Sequence, residues 1–184
     1  MVEKYDGRDE EHRSDVDLDV QEELKPTSVS DLRGKTIISV NDGMKIGTVD
    51  EVLVDTDSLR IAALVVKQGS MFDRETWLVP ANDVNKWGRD AILVDSREVF
   101  RSEADIPGRE KWLSASEKLH GLSIVNTEGT RLGRLDEILV DDTGKIAAYR
   151  VSEGTLGGSS WEIPARSTKA MGGDVVIVEG DHRV

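Results

Sequence analysis

The chain has 184 residues, with 36 acids against 24 bases, no cysteine, and four Trp, two Tyr and two Phe. That length holds one domain or two small ones, at roughly 150 residues each. The lack of cysteine excludes disulfides, thiolate metal sites and cysteine nucleophiles, and a formal charge of −12 disfavours nucleic acid as a main partner.

Residues 1–25 carry ten acids and four bases, a net of −6, so half of the charge lies in that stretch. No basic segment leads into an apolar one, and no apolar run approaches the roughly 20 residues that cross a bilayer. Neither a secretory signal nor a membrane span is expected, and the expected location is the cytoplasm. Asp15-Val16-Asp17-Leu18-Asp19-Val20 alternates as an edge strand does. With so few apolar groups around it, segment 1–28 reads as an acidic, flexible tail that orders on a partner.

Short strands follow. Thr36–Val40 ends at the turn Asn41-Asp42-Gly43, and Lys45–Asp55 is the next strand. Asp55-Thr56-Asp57-Ser58 turns the chain into Arg60–Lys67. After the loop Gln68–Glu75 a strand ends at Pro80, and after a short turn a last one spans Ala91–Val94.

The pattern then recurs. Lys45-Ile46-Gly47-Thr48-Val49-Asp50-Glu51-Val52-Leu53-Val54-Asp55 matches Arg131-Leu132-Gly133-Arg134-Leu135-Asp136-Glu137-Ile138-Leu139-Val140-Asp141. Trp77-Leu78-Val79-Pro80-Ala81 matches Trp161-Glu162-Ile163-Pro164-Ala165, and Ala91–Val94 matches Val175–Val178. A unit this long is a small domain rather than a solenoid repeat. The expected division is a tail at 1–28, a first repeat at 29–100, a connector with a short helix at 101–118, and a second repeat at 119–184. Short strands at steady spacing, without crossover helices, indicate an all-β fold of two small barrels.

The order Gly-Lys-x-Ile, turn, Ile-Gly-x-Val-x-Glu-Val-Leu-Val-Asp, turn, Arg-Ile-x-x-Leu-Val-Val, loop, Leu-Val-Pro resembles the PRC-barrel family over residues 32–98 and again over 119–180. The resemblance implies a strongly curved β-barrel serving as a protein-binding scaffold, with no shared catalytic residues. The family it resembles includes the cytoplasmic part of the photosynthetic reaction-centre H subunit and the C-terminal domain of a ribosome maturation factor.

Candidate sites are few. Gly47 and Gly133 read as bulge or bend positions. Asp55 and Asp141 read as turn caps, since Leu59 and Arg60 stand where a calcium loop needs an oxygen ligand and a glycine. Trp77, Trp161, Pro80 and Pro164 complete the repeat signature. Glu51 and Glu137, each beside an aspartate, are candidates for a binding face, because adjacent strand side chains diverge and make a poor acid–base pair. Met71, Phe72, Trp87 and Trp112 break the repeat and are candidates for contact between barrels or with an outside protein. His12, His120 and His182 lack metal-ligand spacing, and no phosphate loop or nucleophile elbow occurs.

The expected function is a non-enzymatic protein-binding adaptor with no cofactor, no metal and no catalytic residue. Its partner would be a protein, a basic one suiting the charge, with the barrels paired internally or through a homodimer. The alternatives are an accessory factor in small-subunit ribosome assembly that binds a basic ribosomal protein, and a reaction-centre-associated protein like the H subunit.

Overall fold

A computed structural model describes residues 25–70, 73–154 and 158–182. The chain opens with β1 (Thr27–Ser28) and one helical turn, α1 (Val29–Leu32). The first barrel follows as β2 (Thr36–Ser39), β3 (Lys45–Asp55), β4 (Arg60–Ser70), β5 (Asp73–Pro80), β6 (Val84–Trp87) and β7 (Ala91–Val94). Three short 3-10 turns lead to β8 (Trp112–Ser114) and a π-helical turn, Ala115–Leu119. The second barrel is β9 (Ser123–Asn126), β10 (Arg131–Val140), β11 (Ile146–Ser152), β12 (Ser160–Pro164), β13 (Thr168–Met171) and β14 (Val175–Val178).

The fold is all-β, with two seven-stranded sheets of the same topology. One runs β5-β4-β3-β2-β7-β6 with β8 added to β3, and the other runs β12-β11-β10-β9-β14-β13 with β1 added to β10. Among the described residues, only β2 with β7 and β9 with β14 pair in parallel. β6 and β13 occupy stretches read from sequence as a turn. Between the barrels lie 3-10 turns, a strand and a π turn where a single short helix was expected. Thr27 and Ser28, the end of the segment read as a tail, form β1, and residues 1–24 lie outside the described residues.

Curvature comes from the long strands. In β3 the ladder slips between Val49 and Glu51 and again between Leu53 and Val54. In β10 it slips between Leu135 and Glu137 and between Leu139 and Val140. A bulge adds one residue on one side and bends the strand. The first half of β3 therefore pairs with β2, and the second half meets β8.

The inward side chains form one continuous core spanning both barrels. Val52, Val54, Ile61 and Leu64 of the first belong to the same cluster as Ile138, Val140, Ile146 and Tyr149 of the second. A small separate cluster, Leu53, Ala63, Val65 and Leu78, lies on the outer face of the first barrel under Ile106 and Trp112. The connector thus covers apolar surface that the first barrel alone would leave in water.

Gly47 and Gly133 lie where neighbouring strands approach closely. A Cβ on Gly47 would come within 2.7 Å of a Val66 methyl, whereas one on Gly133 would come within 2.6 Å of the Ser152 carbonyl oxygen. A methyl can shift, but a ladder carbonyl cannot. Gly133→Ala should therefore destabilise by about 1–3 kcal/mol and more than Gly47→Ala, read as a lower denaturant midpoint at unchanged m-value.

The β3–β4 and β10–β11 turns are capped as their sequences suggest. Asp55 Oδ1 accepts from the amides of Asp57 and Ser58 at 3.0 and 3.3 Å. Asp141 Oδ1 accepts from the amide and hydroxyl of Thr143 and the amide of Lys145, at 2.8, 2.7 and 3.1 Å. Burial pushes both carboxyls up, but these bonds outweigh it and hold them below the ordinary 3.8. Each turn's contribution is complete above that ordinary value and is lost as pH falls through the lower folded value. Melting temperature should hold through mildly acid pH and fall below about pH 4, with a shallower fall in Asp141→Asn.

Candidate functional site at the seam between the barrels

The two short segments that precede the barrels are exchanged. β1 precedes the first barrel but pairs with β10 of the second, Thr27 opposite Val140 and Ser28 opposite Leu139. β8 precedes the second barrel but pairs with β3 of the first, Ser114 opposite Leu53 and Leu113 opposite Val54. The arms match in sequence, Ser28-Val29-Ser30-Asp31-Leu32 against Ser114-Ala115-Ser116-Glu117-Lys118-Leu119, with one inserted residue. Their buried leucines, Leu32 and Leu119, are each at most 1% exposed.

The bulges aim the matched glutamates at these arms. Glu51 binds its neighbour's amide, Val52 N–H, through Oε1 at 2.8 Å, while Oε2 accepts from Ser114 Oγ at 2.9 Å and from Ser116 Oγ. Glu137 does the same with Ile138 N–H at 3.0 Å, and with the amide (3.3 Å) and hydroxyl of Ser30. The adjacent aspartates turn away. Asp50 pairs with Lys67 at 2.7 Å, and Asp136 accepts from Ser152 Oγ at 2.8 Å. The bulge carbonyls are bound in matching fashion: Arg33 Nε donates to Asp50 O, and His120 Nδ1 donates to Asp136 O, both at 2.9 Å. Glu51 and Glu137 thus hold segments of their own chain and present no free carboxylate for acid–base chemistry.

A pseudo-two-fold axis passes between Arg60 and Lys145, which form an isolated bridge across the barrels. Ile61 N–H donates to Gly144 O at 2.8 Å and Ile146 N–H to Leu59 O at 2.9 Å. Leu59 takes the place of Gly144 with φ of 52°, a left-handed backbone normally left to glycine, and its side chain packs on the shared core. Trp87 lies against Gly144, where a Cβ would come within 3.3 Å of its ring. Trp112 covers the outer face of the first barrel beside Val65 and Leu78. Trp77 and Trp161 pack on the main core, with buried indole N–H groups that lack a hydrogen-bond partner among the described residues. Pro80 and Pro164 end β5 and β12. Met71 and Phe72 lie outside the described residues.

Where the arms meet, a cleft of 280 Å³ has an apolar floor of Val29, Ala115, Leu135 and Ile138 under Ser30 and Glu137. Among the described residues no three His, Asp or Glu side chains gather as a metal site, and no helix is long and apolar enough to cross a membrane.

Sequence reasoning missed a different feature. Val40 and Met44 are 47% and 61% exposed at the tip of the β2–β3 hairpin. The second barrel has Thr127 and Thr130 at the matching places. That polar-for-apolar change was the available signal. Asp42 flanks the tip, its carboxyl held below the ordinary value by Ser39 and by the Met44 amide. Asp95 lies beside it and accepts from Asn85 Nδ2 at 2.6 Å.

Truncating a clasp strands its donors. Glu51→Ala leaves two serine hydroxyls and an amide without their partner, at about 1–3 kcal/mol. Glu51→Gln keeps an acceptor and should cost less. Hydrogen exchange should show the loss first in β8 and the second half of β3, ahead of β12 and β13.

Comparison with known proteins finds two distant likenesses and one family match. An uncharacterised protein of Clostridium acetobutylicum is 24% identical over 82 residues, covering 42% of this chain and 94% of that one. A solved structure described as a 16S ribosomal RNA processing protein, RimM, of Pseudomonas aeruginosa is 14% identical, with a TM-score of 0.27, covering 73% of this chain and 97% of that one. The PRC-barrel domain model matches residues 27–101 and again 114–184, so each match begins with an exchanged arm, and the chain belongs to the PRC-barrel domain family.

Proposed function

We propose that the protein is a non-enzymatic adaptor that binds a protein partner through the β2–β3 hairpin tip of its first barrel. The observation that carries this reading is the exposed pair Val40 and Met44, placed where the second barrel is polar. Exposed apolar groups at a turn add nothing to folding, and clustered on a rigid hairpin they suit a docking contact. Asp42 and Asp95 rim the pair, and the net charge is −12, so the fitting partner presents an apolar pocket edged by basic residues. The seam residues do not supply the contact, because the barrels use them on each other.

A second reading is an accessory role in small-subunit ribosome assembly. It is favoured by membership of a family whose members include a ribosome maturation factor, and by an acidic surface that suits a basic ribosomal protein better than RNA. Co-sedimentation with small-subunit precursors that survives nuclease treatment supports it, and free migration at the top of the gradient removes it.

The adaptor reading is tested with Val40→Ser/Met44→Ser. Because both side chains are exposed, the variant should melt within a few degrees of the parent. It should lose at least tenfold in affinity for a protein that the parent captures at physiological salt. Equal capture by parent and variant, or no reproducible protein on the parent, overturns the reading.

A further inference from the structure

The connector is fixed at both ends and lightly held between them. At its start Val99 belongs to the main core, and Phe100 stands over Gly47, where a Cβ would come within 3.3 Å of its ring. At its end Trp112 and Leu113 pair with Asp55 and Val54. Among the described residues, the backbone of 101–111 bonds to the barrel through Arg101 alone. Leu78 N–H donates to Arg101 O at 2.9 Å, and Arg101 N–H returns to Leu78 O at 2.8 Å. The other backbone bonds close turns within the stretch, such as Asp105 N–H to Ser102 O and Lys111 N–H to Gly108 O. Half-buried Ile106 is its one side chain in the apolar cluster of the outer face. The ion pair of Arg101 with Asp83 is long, at 3.9 Å, and half-exposed, so it adds little. Arg109 turns back on Glu103 and the Trp112 carbonyl, with a buried Nε that lacks a partner among the described residues. An unmatched buried donor makes the closed arrangement costly.

Beneath this stretch lies a sheet edge, that of β5, beside Leu53, Ala63, Val65 and Leu78. These four form a cluster apart from the main core, so uncovering them leaves the barrel interior intact. The second barrel treats the same edge differently. Among the described residues no strand pairs with the outer side of β12. Glu162 and Arg150, paired at 3.5 Å, stand there in place of Leu78 and Val65. Charged side chains blunt a bare edge against strand addition. One copy of the unit thus guards this edge with charge. The other keeps it apolar and covers it with a segment that has few holds.

We propose that residues 101–111 are a lid over a strand-addition site on β5. The lid lifts between its anchors at Phe100 and Trp112, and the freed edge takes an extended segment of a partner protein. The lid itself shows what the site accepts: a backbone antiparallel to β5, bonded to Leu78 as Arg101 is, and an apolar side chain over Val65 and Leu78 as Ile106 is. Main-chain bonds supply the affinity of such an added strand, and the apolar face supplies its register. Few apolar contacts and few backbone bonds are the marks of a segment that opens ahead of its barrel. The site is distinct from the β2–β3 hairpin tip, and the inference does not rest on the reading of that tip.

The Leu78 amide bonds to Arg101, so its hydrogen exchange reports the lid. In the unmodified chain it should exchange at least about tenfold faster than the amides shared by β3 and β4, with little dependence on dilute denaturant. Arg101→Pro/Ile106→Ser removes both holds and should melt within a few degrees of the parent, because neither residue belongs to the main core. A labelled peptide of residues 99–107 of this chain is the probe. It should bind that variant at least about tenfold more tightly than the parent, and adding Leu78→Glu, as in the second barrel, should abolish the gain. Leu78 exchange no faster than that of the β3–β4 amides, equal peptide binding by variant and parent, or a variant that pairs with its own copies in place of the peptide overturns the proposal.

Discussion

The reciprocal clasp between a bulge glutamate and an arm serine is the contact on which the rest of the molecule depends. Each barrel lacks one edge partner for its longest strand, and each finds it in the segment that begins the other. Glu51 is only 9% exposed, so its charge is tolerable only because three donors converge on it. Remove the arm and a buried carboxylate, an unpaired strand edge and an apolar slot for a leucine are left together. The barrels are therefore one cooperative unit despite being two repeats, as their shared core also requires.

The bulges make that contact possible. A regular strand would send Glu51 and Asp50 to opposite faces with no bend between them. The extra residue rotates the glutamate onto the arm and leaves Asp50 to Lys67. The same slip curves the strand so that its two halves serve different neighbours. Closure of the barrel and capture of the arm thus follow from one local irregularity, repeated in β10.

Much of this was legible in the sequence. Asn-Asp-Gly and Asp-x-x-Gly turns, alternating apolar residues and the long internal match locate most strands of both barrels, and Asp55 and Asp141 cap turns as their spacing suggests. β6 and β13 were not legible, because Val84-Asn85-Lys86-Trp87 and Thr168-Lys169-Ala170-Met171 are short and carry little alternation. The exchange of arms was hidden for another reason. Periodicity tells which side chains are buried, but not which barrel buries them. The matching Ser-x-Ser motifs at Ser28 and Ser114, just upstream of the matched strands, were the available hint. Val40 and Met44 were not legible as a surface pair, because apolar residues at a strand end read as core until the hairpin geometry shows them exposed.

Joining two barrels in one chain changes what the exchanged arms do. Between separate chains, such pairing would depend on protein concentration. Through a short connector the second arm meets its groove at an effective concentration on the order of millimolar, so the assembly persists at any dilution. Fusion also removes a constraint that a homodimer carries, in which every substitution appears twice. Here a residue can change on one side of the pseudo-two-fold axis alone. Leu59 against Gly144 and Met44 against Thr130 are such one-sided changes, and they give a nearly symmetric molecule a distinct front and back.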